Sequence, residues 1–276
     1  MRRFLAGVVQ VDTNSDYEQN LKIAAELVAE AAGRGAKFVS LPEVWAYKGP
    51  NPVQHAEDIP GGRCFRLLSE LAKKHQIWIH GGSINEKAAG TDKKAYNTTM
   101  VIAPDGQLAA KYRKIHVFDV DVEGGNSFRE SDTKIPGKDI VVYDTKELGT
   151  WGLSICYDMR FPELYRIMAL EGAQILFAPA SFLMQTGKDH WDHLLCARAI
   201  ENSCYVIAAA QYGVKHDSIE YGKSMIVDPW GNIIAKASDH PCVITAEIDL
   251  DYLEHVRRQV LSLKNRRPDV YNLSRI

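Results

Sequence analysis

The chain alternates short apolar runs with longer amphipathic stretches. An apolar, β-rich run at residues 4–11 is followed by a stretch at 16–34 whose apolar residues recur at helical spacing. A short apolar run at 38–41 and a second amphipathic stretch at 62–74 repeat this order. The first part of the chain is therefore predicted to fold as strand, helix, strand, helix.

The alternation of strands and helices is predicted again in the second half of the chain, after a group of strands. Strands are predicted at 77–84, 96–103 and 108–111, with a Pro-Asp-Gly hairpin turn before the last of them. The second half is predicted to contain strands at 152–156, 175–178, 205–210, 223–227, 233–236 and 243–248, and helices at 162–171, 190–202 and 250–261.

These two similar halves indicate a mixed α/β class in which two sheets pack together and helices cover them. About ten short strands alternating with helices exclude a helical bundle. The pattern does not discriminate between one wide sheet and two stacked sheets. No linker rich in Ser, Gly or Pro divides the chain, so residues 1–276 are expected to form one domain.

The composition and charge of the chain limit the kinds of partner that the protein is expected to bind. A hydrophobic fraction of 46%, a charged fraction of 25% and a net charge of -2 are ordinary for a globular protein, and no basic run points to nucleic acid. No apolar stretch is long enough to span a membrane, and the basic start is followed by too short a segment for a signal peptide. The five cysteines are scattered without a Cys-x-x-Cys pair, which argues against disulfides and zinc and favours the cytoplasm.

One cysteine, Cys156, lies at a position where a side chain can act as a nucleophile. The apolar run 153–156 ends in Cys156, and a tight turn and a charged helix start follow. A thiol at the exit of a buried strand can meet a substrate and act as an acyl-transfer nucleophile. Free cysteines are more often small buried hydrophobes, so Cys156 considered alone favours a packing role.

Two further residues suit the same chemistry. Glu43 directly follows the apolar run 38–41, and a poorly solvated carboxylate there suits a general base, although an exposed turn is an equal alternative. Lys114 lies in a basic segment typical of a solvated face. If it points inward, it would lower the pKa of a nearby thiol and stabilise an oxyanion. His116 offers a Cys-His dyad, ranked second because no local signature of such enzymes is present.

Together, three segments resemble the signature segments of the nitrilase superfamily of carbon–nitrogen hydrolases. They are 41–43, 112–116 and 156–163, they occur in the family's order, and the resemblance extends over residues 4–271. Each segment alone is weak and the three together are specific. The resemblance implies a four-layer α-β-β-α sandwich of the nitrilase type.

The resemblance also implies a set of catalytic roles. Glu43 is the general base, Lys114 the cationic stabiliser and Cys156 the nucleophile. A second active-site glutamate follows the lysine segment, with Glu130 as the best match and Glu123 as a rival. No cofactor or metal is expected, since the chain has neither a glycine-rich phosphate loop nor a His/Asp cluster.

The implied reaction is cysteine-dependent hydrolysis of a small anionic amide with release of ammonia. Segments 118–122, 186–191, 197–202 and 228–231 resemble the Nit branch, which includes deaminated-glutathione amidases and omega-amidases. Other segments resemble either one or the other of these two enzyme types, and together they slightly favour deaminated glutathione as the substrate. An omega-amidase acting on 2-oxoglutaramate or 2-oxosuccinamate is the alternative, followed by a nitrilase or an N-carbamoyl amino acid hydrolase. A scaffold without turnover is disfavoured by the intact catalytic residues.

Four residues are expected to bind substrate. The backbone N–H of Tyr157 is expected to help hold the oxyanion. Arg160 lies near a helix start, where its guanidinium can bind a substrate carboxylate through two hydrogen bonds. The alternative is a structural ion pair of Arg160 with Asp158 or Glu163. Phe182 and Thr186 are expected to line the same pocket, with a core role as the alternative for Phe182.

The oligomeric state is predicted only from the resemblance to the family. It implies a homodimer or a higher homo-oligomer, packed through the helix that bears Arg198 and through the C-terminal tail.

Overall fold

The computed structural model describes residues 2–121 and 127–275. The strands are β1 (Arg3–Gln10), β2 (Phe38–Ser40), β3 (Trp78–His80), β4 (Ile84–Lys87), β5 (Ala95–Ile102), β6 (Leu108–Arg113), β7 (Asp119–Asp121), β8 (Ser127–Arg129), β9 (Val141–Asp144), β10 (Thr150–Leu153), β11 (Ile175–Phe177), β12 (Tyr205–Ala208), β13 (Tyr212–Val214), β14 (Ile219–Tyr221), β15 (Met225–Val227), β16 (Ile233–Lys236) and β17 (Cys242–Asp249). The α-helices are α1 (Tyr17–Gly33), α2 (Arg63–His75), α3 (Pro162–Leu170), α4 (Met184–Asn202) and α5 (Leu250–Gln259). Short 3-10 helices lie at Pro52–His55, Glu130–Asp132 and Cys156–Arg160.

Most of these strands belong to two large sheets. The first has the order β17-β1-β2-β3-β5-β4, with β6 also paired to β5, and the second has the order β16-β15-β12-β11-β10-β9. Strands β1, β2 and β3 run parallel, as do β10, β11 and β12. The carboxyl ends of parallel strands meet at one edge of a sheet, and this edge is where ligand sites form in α/β folds.

Aromatic side chains fill the space between the two sheets. The ring of Phe38 in β2 lies 5.2 Å from Trp151 in β10 and 5.6 Å from Phe177 in β11, measured between centroids. His80 in β3 stacks on Phe177 at 4.3 Å. The sheets therefore pack face to face, which decides between one wide sheet and two stacked ones.

Helices cover the outer faces. Helices α1 and α2 pack on β1, β2 and β3, while α3 and α4 pack on β10 and β12. Neighbouring residues of one strand accordingly enter different cores: Val8 joins the cluster between the sheets, and Val9 joins the cluster beneath α1 and α2. The predicted four-layer α-β-β-α sandwich is confirmed.

Several predicted boundaries were wrong. The strand predicted at 77–84 divides into β3 and β4, because Gly82 adopts a left-handed φ of 56° and turns the chain. A Cβ there would lie 2.0 Å from the Pro42 carbonyl oxygen, so the turn requires glycine. Strand β10 ends at Leu153, and Cys156 begins the 3-10 helix that follows.

Helix α4 begins at Met184, six residues before its predicted start. Gly187 in its first turn looks like a helix breaker in the sequence. Its missing Cβ instead lets the helix approach the ring of Tyr221, which a Cβ would meet at 2.5 Å. No helix in the described ranges is long and apolar enough to cross a membrane.

Candidate active site

Cys156 occupies a sharp turn at the end of the second sheet. Its φ of 48° is left-handed, a conformation that residues with side chains rarely adopt outside functional turns. Its N–H donates to the Pro179 carbonyl at 2.9 Å, and its Sγ lies 3.9 Å from the Ser181 carbonyl oxygen. The thiol is 7% exposed and lines a cavity. The turn therefore presents the thiol to this cavity.

Glu43 reaches the same cavity from the first sheet, just after β2. Its Oε1 accepts from Lys114 Nζ at 3.0 Å and from Asn97 Nδ2 at 2.8 Å. Its Oε2 accepts from the Ser181 backbone N–H at 2.8 Å. The carboxylate is 4% exposed and fixed from three sides, which decides against the exposed-turn alternative for this glutamate.

Lys114 lies between two carboxylates. It follows β6, and its Nζ contacts Glu43 Oε1 and, at 2.8 Å, Glu130 Oε2. Burial disfavours the ammonium, but Glu130 and Glu43 outweigh burial and raise the pKa of Lys114 well above its ordinary value. Burial acts to raise the pKa of Glu130, yet Lys114 prevails and lowers it. Lys114 is thus a permanent cation and Glu130 a permanent anion at neutral pH.

The thiol has the opposite character. Burial first, and then the charge of Glu43, raise the pKa of Cys156 well above its ordinary value, while Lys114 acts to lower it. Lys114 acts in the predicted direction, although burial and Glu43 outweigh its effect on the pKa of Cys156. The raised pKa favours the protonated form of the Cys156 thiol, and Glu43 is the carboxylate whose charge contributes to it.

Glu123 and His116 are the alternative candidates for the second glutamate and for a residue paired with Cys156. Glu123 lies outside the described residues, and Glu130 is the glutamate that contacts Lys114. His116 pairs through Nδ1 with Asp158 Oδ1 at 2.7 Å, and its ring stacks on Phe161 at 3.6 Å. These contacts give the Cys-His dyad no support.

Arg160 projects a guanidinium onto the cavity wall. Its Cζ lies 5.4 Å from the ring centroid of Phe182, and both terminal nitrogens lie 3.4 Å from His190 Nδ1. Asp158 is occupied by Tyr112 and His116 instead. No ion pair of Arg160 with Asp158 or Glu163 occurs among the residues that the structure describes, and the recorded contacts of its guanidinium are with His190 and Phe182.

The position of Arg160 relative to the helix differs slightly from the prediction. It is the last residue of the 3-10 helix and precedes α3 by two residues rather than beginning it. Both interpretations of Phe182 hold, because its ring faces the cavity and also packs on Trp191 at 5.2 Å. His190 and Trp191 lie inside α4 rather than at its start.

All eight predicted site residues line one cavity of about 590 Å³. They are Glu43, Lys114, Glu130, Cys156, Tyr157, Arg160, Phe182 and Thr186. The cavity thus combines a thiol, a base, a fixed cation and a guanidinium that carries no carboxylate partner within the described chain.

Comparison with known proteins places this arrangement in a family. A family model described as carbon-nitrogen hydrolase matches residues 5–258. The chain belongs to the carbon–nitrogen hydrolase family. The family predicted from the three segments is confirmed, and with it a hydrolase of carbon–nitrogen bonds other than peptide bonds.

Individual relatives are similar along nearly the whole chain. The deaminated glutathione amidase of a Synechocystis species is 44% identical over 270 residues, which cover 96% of this chain and 99% of the relative. An omega-amidase of Xenopus laevis is 43% identical over 276 residues, which cover 99% and 98%. The solved C. elegans NitFhit protein has a TM-score of 0.93 and 37% identity, over 99% of this chain and 67% of that one.

Some residues of this carbon–nitrogen hydrolase site escaped the sequence analysis. Asn97 in β5 donates to both Glu43 and Glu130, and Ser181 holds Glu43 through its backbone. A polar run at 97–99 inside an otherwise apolar strand was the available signal for Asn97. Ser181 contributes main-chain atoms, for which residue type carries no signal.

The polypeptide of this hydrolase supplies no obvious metal site in its described ranges. No group of three or more His, Cys, Asp or Glu residues there is arranged to hold a metal ion. Its cysteines are all free.

Proposed function

We propose that this carbon–nitrogen hydrolase is a cysteine-dependent amidase for amides of 2-oxo dicarboxylic acids, with deaminated glutathione as the preferred substrate. The observation that carries the proposal is the contact set of Glu43, Lys114 and Glu130 around the Cys156 thiol, in a cavity whose wall bears Arg160. The relatives named for the two activities are 44% and 43% identical, so identity does not decide between them.

The first half of the proposed reaction forms a thioester. Because the resting thiol is protonated, Glu43 takes its proton as Sγ attacks the amide carbonyl carbon. The carbonyl oxygen becomes an oxyanion, stabilised by the Lys114 ammonium and the Tyr157 N–H at the start of the 3-10 helix. The C–N bond then breaks, and Glu43 returns its proton to the departing nitrogen.

The second half hydrolyses the thioester. Glu43 takes a proton from water as the water oxygen attacks the thioester carbonyl. The same donors hold the second oxyanion, the C–S bond breaks, and the proton restores the thiol. Glu130 keeps Lys114 in place throughout, through the contact at 2.8 Å, and offsets its buried charge.

Arg160 supplies the specificity for an anionic acyl group. A planar guanidinium without a carboxylate partner in the described chain can bind a substrate carboxylate through two parallel hydrogen bonds, which an ammonium cannot reproduce. Phe182 supports it from one side at 5.4 Å. Both candidate substrate types share a 2-oxo acid carboxylate, so Arg160 favours the pair over neutral amides and nitriles.

The leaving group separates the two candidates. A 2-oxo dicarboxylic monoamide releases ammonia, whereas deaminated glutathione releases the amine of its remaining peptide. The predicted ammonia therefore applies to the monoamides. A cavity of about 590 Å³ lies in the range of pockets for drug-sized ligands, and this favours the larger substrate.

A panel of substrates tests the proposal. Purified protein is incubated with deaminated glutathione, 2-oxoglutaramate, a neutral amide, a nitrile and an N-carbamoyl amino acid, and product formation is followed. We expect the highest kcat/KM for deaminated glutathione and no product with Cys156→Ala. A higher value for 2-oxoglutaramate would make the protein an omega-amidase, and turnover of the nitrile or carbamoyl compound alone would refute the proposal.

The same protein is proposed to be a cytoplasmic homodimer or higher oligomer. Ile200 in α4 lies beside Gly231 in the β15–β16 turn, and Ile200 and the preceding turn residue Trp230 are about half exposed, which supports an apolar contact surface. Arg198 is buried and donates to the Met159 carbonyl at 2.8 Å, so it would support this surface from within. Light scattering of the purified protein tests the proposal, and a monomer mass would contradict it.

A further inference from the structure

Ser181 links the catalytic groups to a second ion pair. Its backbone N–H donates to Glu43 Oε2 at 2.8 Å, and its carbonyl oxygen lies 3.9 Å from Cys156 Sγ. Its hydroxyl accepts a hydrogen bond from Lys48 Nζ. One residue therefore contacts the base and the nucleophile through its main chain and an ammonium through its side chain.

Lys48 is paired in turn with a fully buried carboxylate. Its Nζ contacts Glu220 Oε1, which also accepts from Ser218 Oγ at 2.7 Å. Glu220 is 0% exposed, and its Oε2 has no hydrogen-bond partner among the described residues. Burying such a carboxylate carries a desolvation penalty that one cation offsets only in part. A contribution to stability is therefore a poor explanation for this pair.

The pair also connects a hairpin to the catalytic segment. Glu220 lies in β14, and the next residue, Tyr221, donates its N–H to the Phe182 carbonyl at 2.8 Å. Ala180, on the other side of Ser181, is bonded to the backbone of Ala209 and Gln211. The residues flanking Ser181 are thus held by the backbone, and the Ser181 hydroxyl adds a side-chain anchor to this segment.

We propose that Lys48 and Glu220 are positioning residues for the reaction. They hold the Ser181 hydroxyl, and this fixes the Ser181 N–H that aligns the Glu43 carboxylate with the Cys156 thiol. The inference rests on the proposed function for the roles of Glu43 and Cys156. A displacement of about 1 Å at a reacting group can lower a rate about 100-fold. Because the flanking residues remain held, we expect a roughly tenfold loss of kcat.

A double-mutant cycle tests the chain of contacts. The variants are Ser181→Ala, which removes the hydroxyl and keeps the backbone, Lys48→Met, and the two combined. Each single change is expected to lower kcat about tenfold with little change in KM. The combined change should be no worse than either alone, because both break the same link.

Two further variants distinguish a loss of positioning from a general loss of stability. Lys48→Met combined with Glu220→Gln removes both charges, so no unpaired carboxylate stays buried. Lys111→Met is the matched control, since Lys111 also pairs with a buried glutamate, Glu86, whose side chain lies outside the cavity lining. The control is expected to keep its kcat, and the neutralised pair is expected to lose as much as Lys48→Met.

Alkylation of Cys156 by iodoacetamide gives a readout that needs no substrate. Mass spectrometry of the Cys156 peptide should show alkylation at neutral pH slowed about tenfold in the Ser181 and Lys48 variants, and unchanged in Lys111→Met. Additive losses, a change confined to KM, or unaltered alkylation would overturn the inference. If the wild type cleaved no amide while alkylation still followed the cycle, the proposed function would fail and the positioning role would stand.

Discussion

Replacing Arg160 by lysine keeps the charge and removes the two-pronged geometry. The guanidinium lies on the cavity wall beside Phe182 and has no ion pair within the described chain, so a substrate carboxylate has to displace only its two 3.4 Å contacts with His190 Nδ1. A charge-assisted hydrogen bond contributes about 1.5–3 kcal/mol. Losing one of two such bonds therefore lowers kcat/KM by roughly 10- to 100-fold. Because Arg160 is only partly buried, the loss should lie nearer the lower end.

The assay compares an anionic and a neutral amide of similar length in wild type and in Arg160→Lys. The matched control is Arg129→Lys, because Arg129 also lines the cavity but already binds both Asp121 oxygens, at 2.7 and 2.8 Å. The loss should fall on the anionic substrate and be absent in the control. Equal losses on both substrates, or a wild type that cleaves both equally well, would refute the clamp.

The remaining predictions concern the catalytic residues. Cys156→Ala and Cys156→Gly should both abolish turnover, and the glycine variant should resist urea unfolding by about 1 kcal/mol more than the alanine variant, because φ is 48°. Lys114→Met should lower kcat by about 100-fold or more and destabilise the fold by about 3–5 kcal/mol in urea titrations, since two buried carboxylates lose their cation. Glu43→Gln should accumulate some thioester and fail to hydrolyse it, and a near-native rate would show that its role is misassigned. The lowered pKa of Glu130 contributes stability above about pH 4.3 that is lost as pH falls, and Glu130→Gln should flatten this acid dependence of unfolding.

The proposed catalytic residues could be named from the sequence because the three family segments carry them, and each lies shortly after a strand. Glu43 follows β2, Lys114 follows β6 and Cys156 closely follows β10, and strand ends are the positions where side chains leave the core. Apolar periodicity was also sufficient for α1, whose N-cap Asp16 accepts from the Gln19 N–H at 3.0 Å.

Other features depend on tertiary contacts that no local pattern contains. Strands β7, β8, β13 and β14 are three residues each, too short for a period of two to be recognised. Helix α4 begins before its predicted start, and the close approach of Gly187 to Tyr221, which requires a residue without a Cβ, is not visible in the local sequence. Lys48 and Glu220 are 172 positions apart, and nothing in the sequence near either residue indicates the other.

The ionisation of the Cys156 thiol is a further feature that depends on the assembled site. A lysine close to a cysteine suggests a thiolate when only the pair is considered. Burial and Glu43 act against Lys114, and only the assembled site shows that they prevail. In the proposed reaction Glu43 therefore assists the attack by the Cys156 thiol, so that acylation without this base should be slow rather than absent.

Cys156 is proposed to carry the acyl group of the substrate, and trapping this acyl-enzyme tests the proposal most directly. Glu43→Gln is mixed with deaminated glutathione or 2-oxoglutaramate, quenched in acid, digested and analysed by mass spectrometry. The account predicts the mass of a 2-oxo dicarboxylic acyl group on the peptide that contains Cys156, and no adduct when Cys156→Ala is added. An adduct on another residue, or substrate turnover by Cys156→Ala without any adduct, would contradict it.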